Sequence, residues 1–314
     1  MASARWAYLH PASFQQGFSL LLFEQFCRTS GLIGTDGPRE GGLRDHFASR
    51  SNAQRRVYSK KASLTRTGGQ AWHEGGEETA MNGNELRMRI AAREGRFVKV
   101  CCIQSVEEAR RAIHAGADAL GLVAAMPSGP GPISDPLIGE ILSELPEGLC
   151  TVLLTSETDV DDILRHLERC PAEVVQVVRD IGSSALQELK AARPDVAWMQ
   201  VVHVDSSAAL ERAKLVSDIA DAILLDSGQP QAKTPTLGGT GQTHDWTISK
   251  AIVDAMPIPV VLAGGLRPTN IASALSDVAP AGFDLCSGIR VEGLLDDAKM
   301  GAFFHALQGA PASR

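Results

Sequence analysis

From Phe97 onward the chain alternates short apolar runs with amphipathic stretches, and the alternation repeats eight times. The strand-like runs are Val98–Ile103, Ala119–Ala124, Leu149–Thr155, Glu173–Val178, Ala197–Val204, Ala222–Asp226, Pro259–Ala263 and Phe283–Cys286. Most are apolar on both faces, the signature of parallel strands covered by helices. Between them lie helical patterns at Val106–Ala115, Val160–Leu167, Ser184–Ala192, Ser206–Ser217, Trp246–Met256 and Thr269–Leu275. The first carries apolar residues at Val106, Ala109 and Ile113 behind a Gln104–Ser105 entry, where the serine suits an N-cap. Eight βα units over residues 97–310 predict an α/β fold, a (β/α)8 TIM barrel of near-minimal size. A doubly wound open sheet fits the same alternation, which does not by itself prove closure.

The first 80 residues read differently. Periodicity is poor, and Gly, Ser, Arg and Gln dominate Gly31–Arg50 and Gly68–Glu78. Such a stretch buries too little apolar surface to offset its ordering entropy, so residues 1–80 are expected to be disordered. Met1–Arg66 holds ten Lys or Arg against four Asp or Glu. A basic, serine-bearing leader of this kind is either an organelle transit peptide or an over-extended gene start with Met81 as the first residue.

Composition narrows the class. The 314 residues are 44% hydrophobic and 21% charged, ordinary for a globular protein, and no run reaches the ~20 apolar residues of a membrane span. A net charge of -7 argues against nucleic acid as a partner, because a phosphate backbone rewards clustered cations. Six cysteines without a C-x-x-C pair make neither a disulfide framework nor a zinc ribbon, which points to a reducing compartment. No His or Cys grouping stands out by metal-ligand spacing.

In such a barrel the chemistry sits where strands end. The first strand ends Lys99-Val100-Cys101-Cys102-Ile103. Alternation puts Lys99, Cys101 and Ile103 on one face, expected to be the interior, with Cys102 under the helices. A lysine beside Cys101 favours its thiolate, although a buried cysteine is often just a small hydrophobe. The sixth strand closes with Asp226, either a loop cap or a functional carboxylate. A long loop, Ser227 to Asp245, follows with Gly238-Gly239-Thr240-Gly241, and loops of this length are usually functional. Asp245 reads as a helix N-cap, His244 as loop surface and His203 as an interior or rim histidine. Strands seven and eight run into Gly264-Gly265 and Ser287-Gly288, whose backbone amides suit a phosphate.

Taken together, "KVCCI", "HAGADALGLV", the strand bearing Gln176, "LLDS" followed by "GGTGQTHDW", "LAGGLRPTN" and "DLCSGI" resemble the phosphoribosylanthranilate isomerase family of tryptophan biosynthesis. The resemblance runs from about Phe97 to the C-terminus, and the Gly-Gly-Thr-Gly-x-x-x-Asp-Trp piece is its most specific element. It implies an Amadori rearrangement of an aminoaldose to an aminoketose, with Cys101 as general base and Asp226 as general acid. It also implies a phosphate held at Gly264, Gly265, Ser287 and Gly288, with Lys99, Gln176, Arg179 and Gly239 as possible substrate contacts. No metal or other cofactor is implied. The expected partner is one small phosphosugar, with no nucleic acid or membrane, for a cytoplasmic monomer or homodimer (organellar, if the leader is a transit peptide).

The chain departs from the family in places. Cys102 stands where the family has Gly, and Gln104 where it usually has Thr. The Met126–Pro132 loop lacks the family arginine that holds the anthranilate carboxylate, and Gln176-Val177-Val178-Arg179 replaces Gln-Leu-His-Gly. Arg179 is a candidate for the missing cation. Two rival expectations follow: a non-catalytic phosphosugar-binding barrel, and an aldolase or synthase using Lys99 as a Schiff-base lysine.

Overall fold

A computed structural model of the chain describes residues 81–228 and 243–311. The expectations for residues 1–80 and for the loop bearing Gly239 lie outside the described residues.

Eight strands close into a parallel barrel in sequence order: β1 (Phe97–Val100), β2 (Ala119–Val123), β3 (Cys150–Thr155), β4 (Val174–Val177), β5 (Ala197–His203), β6 (Ala222–Asp226), β7 (Val260–Leu262) and β8 (Gly282–Leu285). Closure rests on β1 pairing with β8, from Phe97 opposite Gly282 to Val100 opposite Leu285. The open sheet is therefore excluded. In chain order the helices are α1 (Gly83–Ala91), α2 (Val106–Ala115), α3 (Asp135–Glu144), α4 (Val160–Arg169), α5 (Gly182–Ala192), α6 (Ala209–Ser217), α7 (Trp246–Ala255), α8 (Ile271–Val278) and α9 (Asp297–Gly309). A short 3₁₀ turn (Ser287–Ile289) and the ribbon β9 (Arg290–Val291) and β10 (Leu294–Leu295) sit between β8 and α9.

The core has two compartments, as strand alternation requires. Val98, Val100, Leu120, Leu122, Val175 and Val177 point outward under the helices. Ala119, Val152, Val174, Met199, Leu224 and Val261 fill the barrel. Helix α1 plugs the end where the strands begin. Asn82 caps it by accepting from the backbone N–H groups of Asn84 and Glu85. Its buried Leu86 and Ile90 join the interior cluster beside Phe97. On its outer side, Arg87 donates to the carbonyls of Ala220 and Asp221 before β6, and Arg89 to that of Gly148 before β3. With its foot closed, the barrel opens toward the strand C-terminal ends, where the depression lies.

The first strand differs from expectation. It stops at Val100, because Cys102 adopts a left-handed backbone with φ +62°. Alternation breaks there: Cys102 turns inward with Cys101, and Ile103 packs outside. Cys102 therefore does not lie under the helices.

Candidate active site

The ends of seven strands, all but β5, line one depression of ≈ 680 Å³, counting the space open to solvent. Cys101 and Cys102 follow β1, Gln176 comes from β4 and Asp226 from β6, Gly264 and Gly265 follow β7, Asp284 comes from β8, and Cys286, Ser287 and Gly288 follow it. The thiol of Cys101 faces the barrel interior, as its place beside Lys99 requires.

Lys99 is fully buried below Cys101 and donates to Asp284 Oδ1 at 2.8 Å. Burial works against its charge, but the Asp284 carboxylate and Cys101 outweigh burial and hold Lys99 protonated. Fully buried and ion-paired to Asp284, Lys99 offers no free amine, which argues against the Schiff-base expectation. Cys101 gains from the arrangement. The neighbouring Cys102 thiol and the Lys99 charge outweigh burial, so its acidity rises above that of an ordinary thiol. Room for the pair comes from β2. A Cβ on Gly121 would sit 2.8 Å from Cys101 Sγ and 3.0 Å from Lys99 Nζ.

Asp226 ends β6 with 9% of its surface exposed. Burial raises its carboxyl to about 6, against the Ser227 N–H that donates to Oδ1 at 2.7 Å. The site thus pairs a thiol made more acidic with a carboxyl made less acidic, and each is pushed toward the role opposite to its ordinary one.

Gly264 and Gly265 have φ of +83° and +61°, so the chain after β7 turns in a left-handed conformation that glycine adopts without strain. Asn270 pins this turn, accepting from Arg267 N at 2.8 Å and donating to the Gly265 carbonyl at 3.1 Å. Ser287 and Gly288 line the same end of the depression. Gln176 is buried, and among the described residues its Oε1 has no hydrogen-bond partner.

Arg179 is exposed and does not line the depression; its carbonyl accepts from Gln200 Nε2. The wall after β2 is built from Met126, Ser128, Gly129 and Pro130. His203 is buried at the rim, its Nε2 against the Val178 carbonyl at 3.2 Å, and burial lowers its pKa. Asp245 caps α7 through Thr247 N. His244 is not loop surface: it is half-buried against Gly264, its Nε2 lies 2.6 Å from Ser249 Oγ, and burial lowers its pKa to about 4.

Two arrangements were not visible in the sequence. Arg290 is buried against Glu108 and donates to the carbonyls of Cys101 and Cys102, which anchors the end of β1. Away from the mouth, ligand atoms of Asp135, His166 and Cys170 lie within 4.8 Å of one another, the last two one turn apart at the end of α4. The Arg169 guanidinium already donates to the Asp135 carboxylate at 2.8 Å.

The family model for N-(5'-phosphoribosyl)anthranilate (PRA) isomerase matches residues 98–306. The chain belongs to this family. It is 32% identical over 216 residues to the N-(5'-phosphoribosyl)anthranilate isomerase of Haloarcula marismortui, covering 68% of this chain and 97% of that protein. To the enzyme of Methanocella arvoryzae it is 30% identical over 203 residues, covering 65% and 93%. The crystal structure of the Thermotoga maritima isomerase superposes with a TM-score of 0.59 at 28% identity, covering 68% of this chain and 99% of that one. A further isomerase structure, 26% identical with a TM-score of 0.57, is a complex with reduced 1-(o-carboxyphenylamino)-1-deoxyribulose 5-phosphate; it covers 68% of this chain and 99% of that one. As a PRA isomerase family member, this chain places the matched region over the barrel and its mouth.

Proposed function

We propose that Cys101 and Asp226 are the base and acid by which this protein isomerises N-(5'-phosphoribosyl)anthranilate to 1-(o-carboxyphenylamino)-1-deoxyribulose 5-phosphate. Family membership makes the protein a phosphoribosylanthranilate isomerase of tryptophan biosynthesis. One observation supports the residue assignment above all: an acidified thiol and a carboxyl of raised pKa share one depression.

The chemistry needs one group holding a proton and one lacking it. Asp226 gives its proton to the ring oxygen, and the bond from that oxygen to C1′ breaks as the amine nitrogen pushes in its electron pair. The product is a protonated Schiff base. The Cys101 thiolate takes the proton from C2′, and the pair left behind forms the C1′–C2′ double bond of an enolamine. Tautomerisation moves a proton to C1′ and leaves a ketone at C2′. The proton on Cys101 returns through solvent to the Asp226 carboxylate. The Lys99 charge supports the thiolate throughout. The substrate phosphate rests on the backbone at Gly264, Gly265, Ser287 and Gly288, which line the same depression as the acid and base. The unpaired Gln176 Oε1 accepts from a sugar hydroxyl, since a buried acceptor without a donor costs about 1–3 kcal/mol.

The test is growth. The full chain is expected to restore a tryptophan auxotroph blocked at this isomerisation, and the Cys101→Ala and Asp226→Asn chains are expected to fail at equal expression. Growth supported equally by both variants would remove them from the mechanism.

A further inference from the structure

Cys102 stands out beside the catalytic pair. Its φ of +62° is one that residues with a side chain seldom adopt, and it swings the thiol into the mouth instead of under the helices. The ladder between β1 and β8 continues to the bond from Cys101 N to the Leu285 carbonyl, at 2.7 Å. The next residues on the two strands are Cys102 and Cys286, and their sulfurs touch at 2.6 Å. Cys286 is half-exposed at the rim, directly before Ser287 and Gly288. Cys102 is buried, with the Pro130 carbonyl 3.5 Å from its sulfur. A reachable thiol therefore lies against a buried one, on adjacent strand ends, at the mouth of the site.

We propose that Cys102 and Cys286 form a reversible disulfide that turns the isomerase off. The oxidant is a low-molecular-weight disulfide. The Cys286 thiolate attacks one of its sulfurs, forms a mixed disulfide and releases one thiolate. Cys102, losing its proton, attacks the Cys286 sulfur, closes the protein disulfide and releases the second thiol. Two protein thiols are oxidised, and one small disulfide is reduced to two thiols. In a reducing compartment such a bond is transient, which suits regulation rather than a structural staple. The bond acts on the site in two ways. It consumes the Cys102 thiol that lines the mouth beside Cys101. It also ties the end of β1 to the segment that carries Ser287 and Gly288.

The full chain, purified reduced, is incubated with glutathione disulfide, alkylated and digested without reductant. Trypsin cuts after Lys99 and Arg110, so Cys102 and Cys286 fall on separate peptides. The expected result is a linked pair of these peptides, with turnover lowered about 10- to 100-fold and restored by dithiothreitol. Cys286→Ser and Cys102→Gly chains should form no link, and a loss of turnover on oxidation as large as the parent's in either variant, through a mixed disulfide on Cys101, would also overturn the proposal. The proposal is overturned if both cysteines remain alkylatable, if the bond joins Cys101 to Cys102 within one peptide, or if the linked protein turns over unchanged. It rests on the isomerase reading only for the turnover readout. The linkage is read by mass, so its failure and a failure of the catalytic assignment are distinguishable.

Discussion

At the scale of single residues, the proposed acid and base are two groups with unaccustomed proton affinities. Asp226 is raised to about 6 chiefly by burial, so the fraction able to donate a proton falls as pH rises through 6. Cys101 is lowered, so its thiolate fraction rises with pH from below the ordinary thiol range. The log of kcat/KM for the full chain is therefore expected to fall above about pH 6 on the limb set by the acid, as pH-rate profiles would show. The same burial has a stability consequence of known sign. A carboxyl with a raised folded-state pKa costs nothing below its unfolded value near 4; above it, stability is lost until pH passes 6. Asp226→Asn should accordingly be more stable than the parent at pH 8, by about 1–3 kcal/mol, with the advantage gone at pH 4. Denaturant titrations at the two pH values would measure it. The sequence singles out Asp226 because a carboxylate closes an apolar strand where packing does not call for it, and Cys101 because Lys99 stands beside it and the family resemblance falls on it. The partners of Lys99 and Arg290 were not legible there. Asp284 and Glu108 lie 185 and 182 residues away along the chain, and only barrel closure brings them near.

At the scale of elements, all eight strands were readable because each is a short apolar run between helical patterns, and their ends shift by a few residues at most. The helices α1, α3 and α9 were harder. Only Leu86 and Ile90 of α1 are buried, too few for a visible period, and α3 and α9 carry Gly139, Gly301 and Gly309 within their spans. The bend at Cys102 was hidden too, since a left-handed residue inside a strand-like run leaves no mark in its hydropathy. Strand β2 makes its contribution through a missing side chain. Gly121→Ala drives a methyl into Cys101 Sγ and Lys99 Nζ. Overpacking there is expected to cost about 1–3 kcal/mol, and displacing the thiol about 10- to 100-fold in kcat. Thermal melts and steady-state kinetics would check both, with a parental kcat counting against the placement of Cys101.

At the scale of the molecule, the division is between a plugged foot and a reactive mouth. Helix α1 seals the foot, so the closed barrel needs the chain from Met81 onward. A chain beginning at Met81 is expected to keep kcat within about twofold of the full chain, because every described contact of the barrel is retained. One beginning at Phe97 loses Leu86 and Ile90 from the interior cluster and should be destabilised by about 2–5 kcal/mol or more. Melting curves and turnover of the two truncations separate these outcomes. At the mouth, Cys101 and Asp226 are proposed to act together on one sugar. The direct measurement is kcat, followed by the loss of anthranilate-conjugate fluorescence in purified parent, Cys101→Ala and Asp226→Asn proteins. The expected result is turnover by the parent and a fall of about 10²- to 10⁴-fold in each variant, with both still folded. A parent that turns over while either variant keeps its rate would contradict the assignment of that residue.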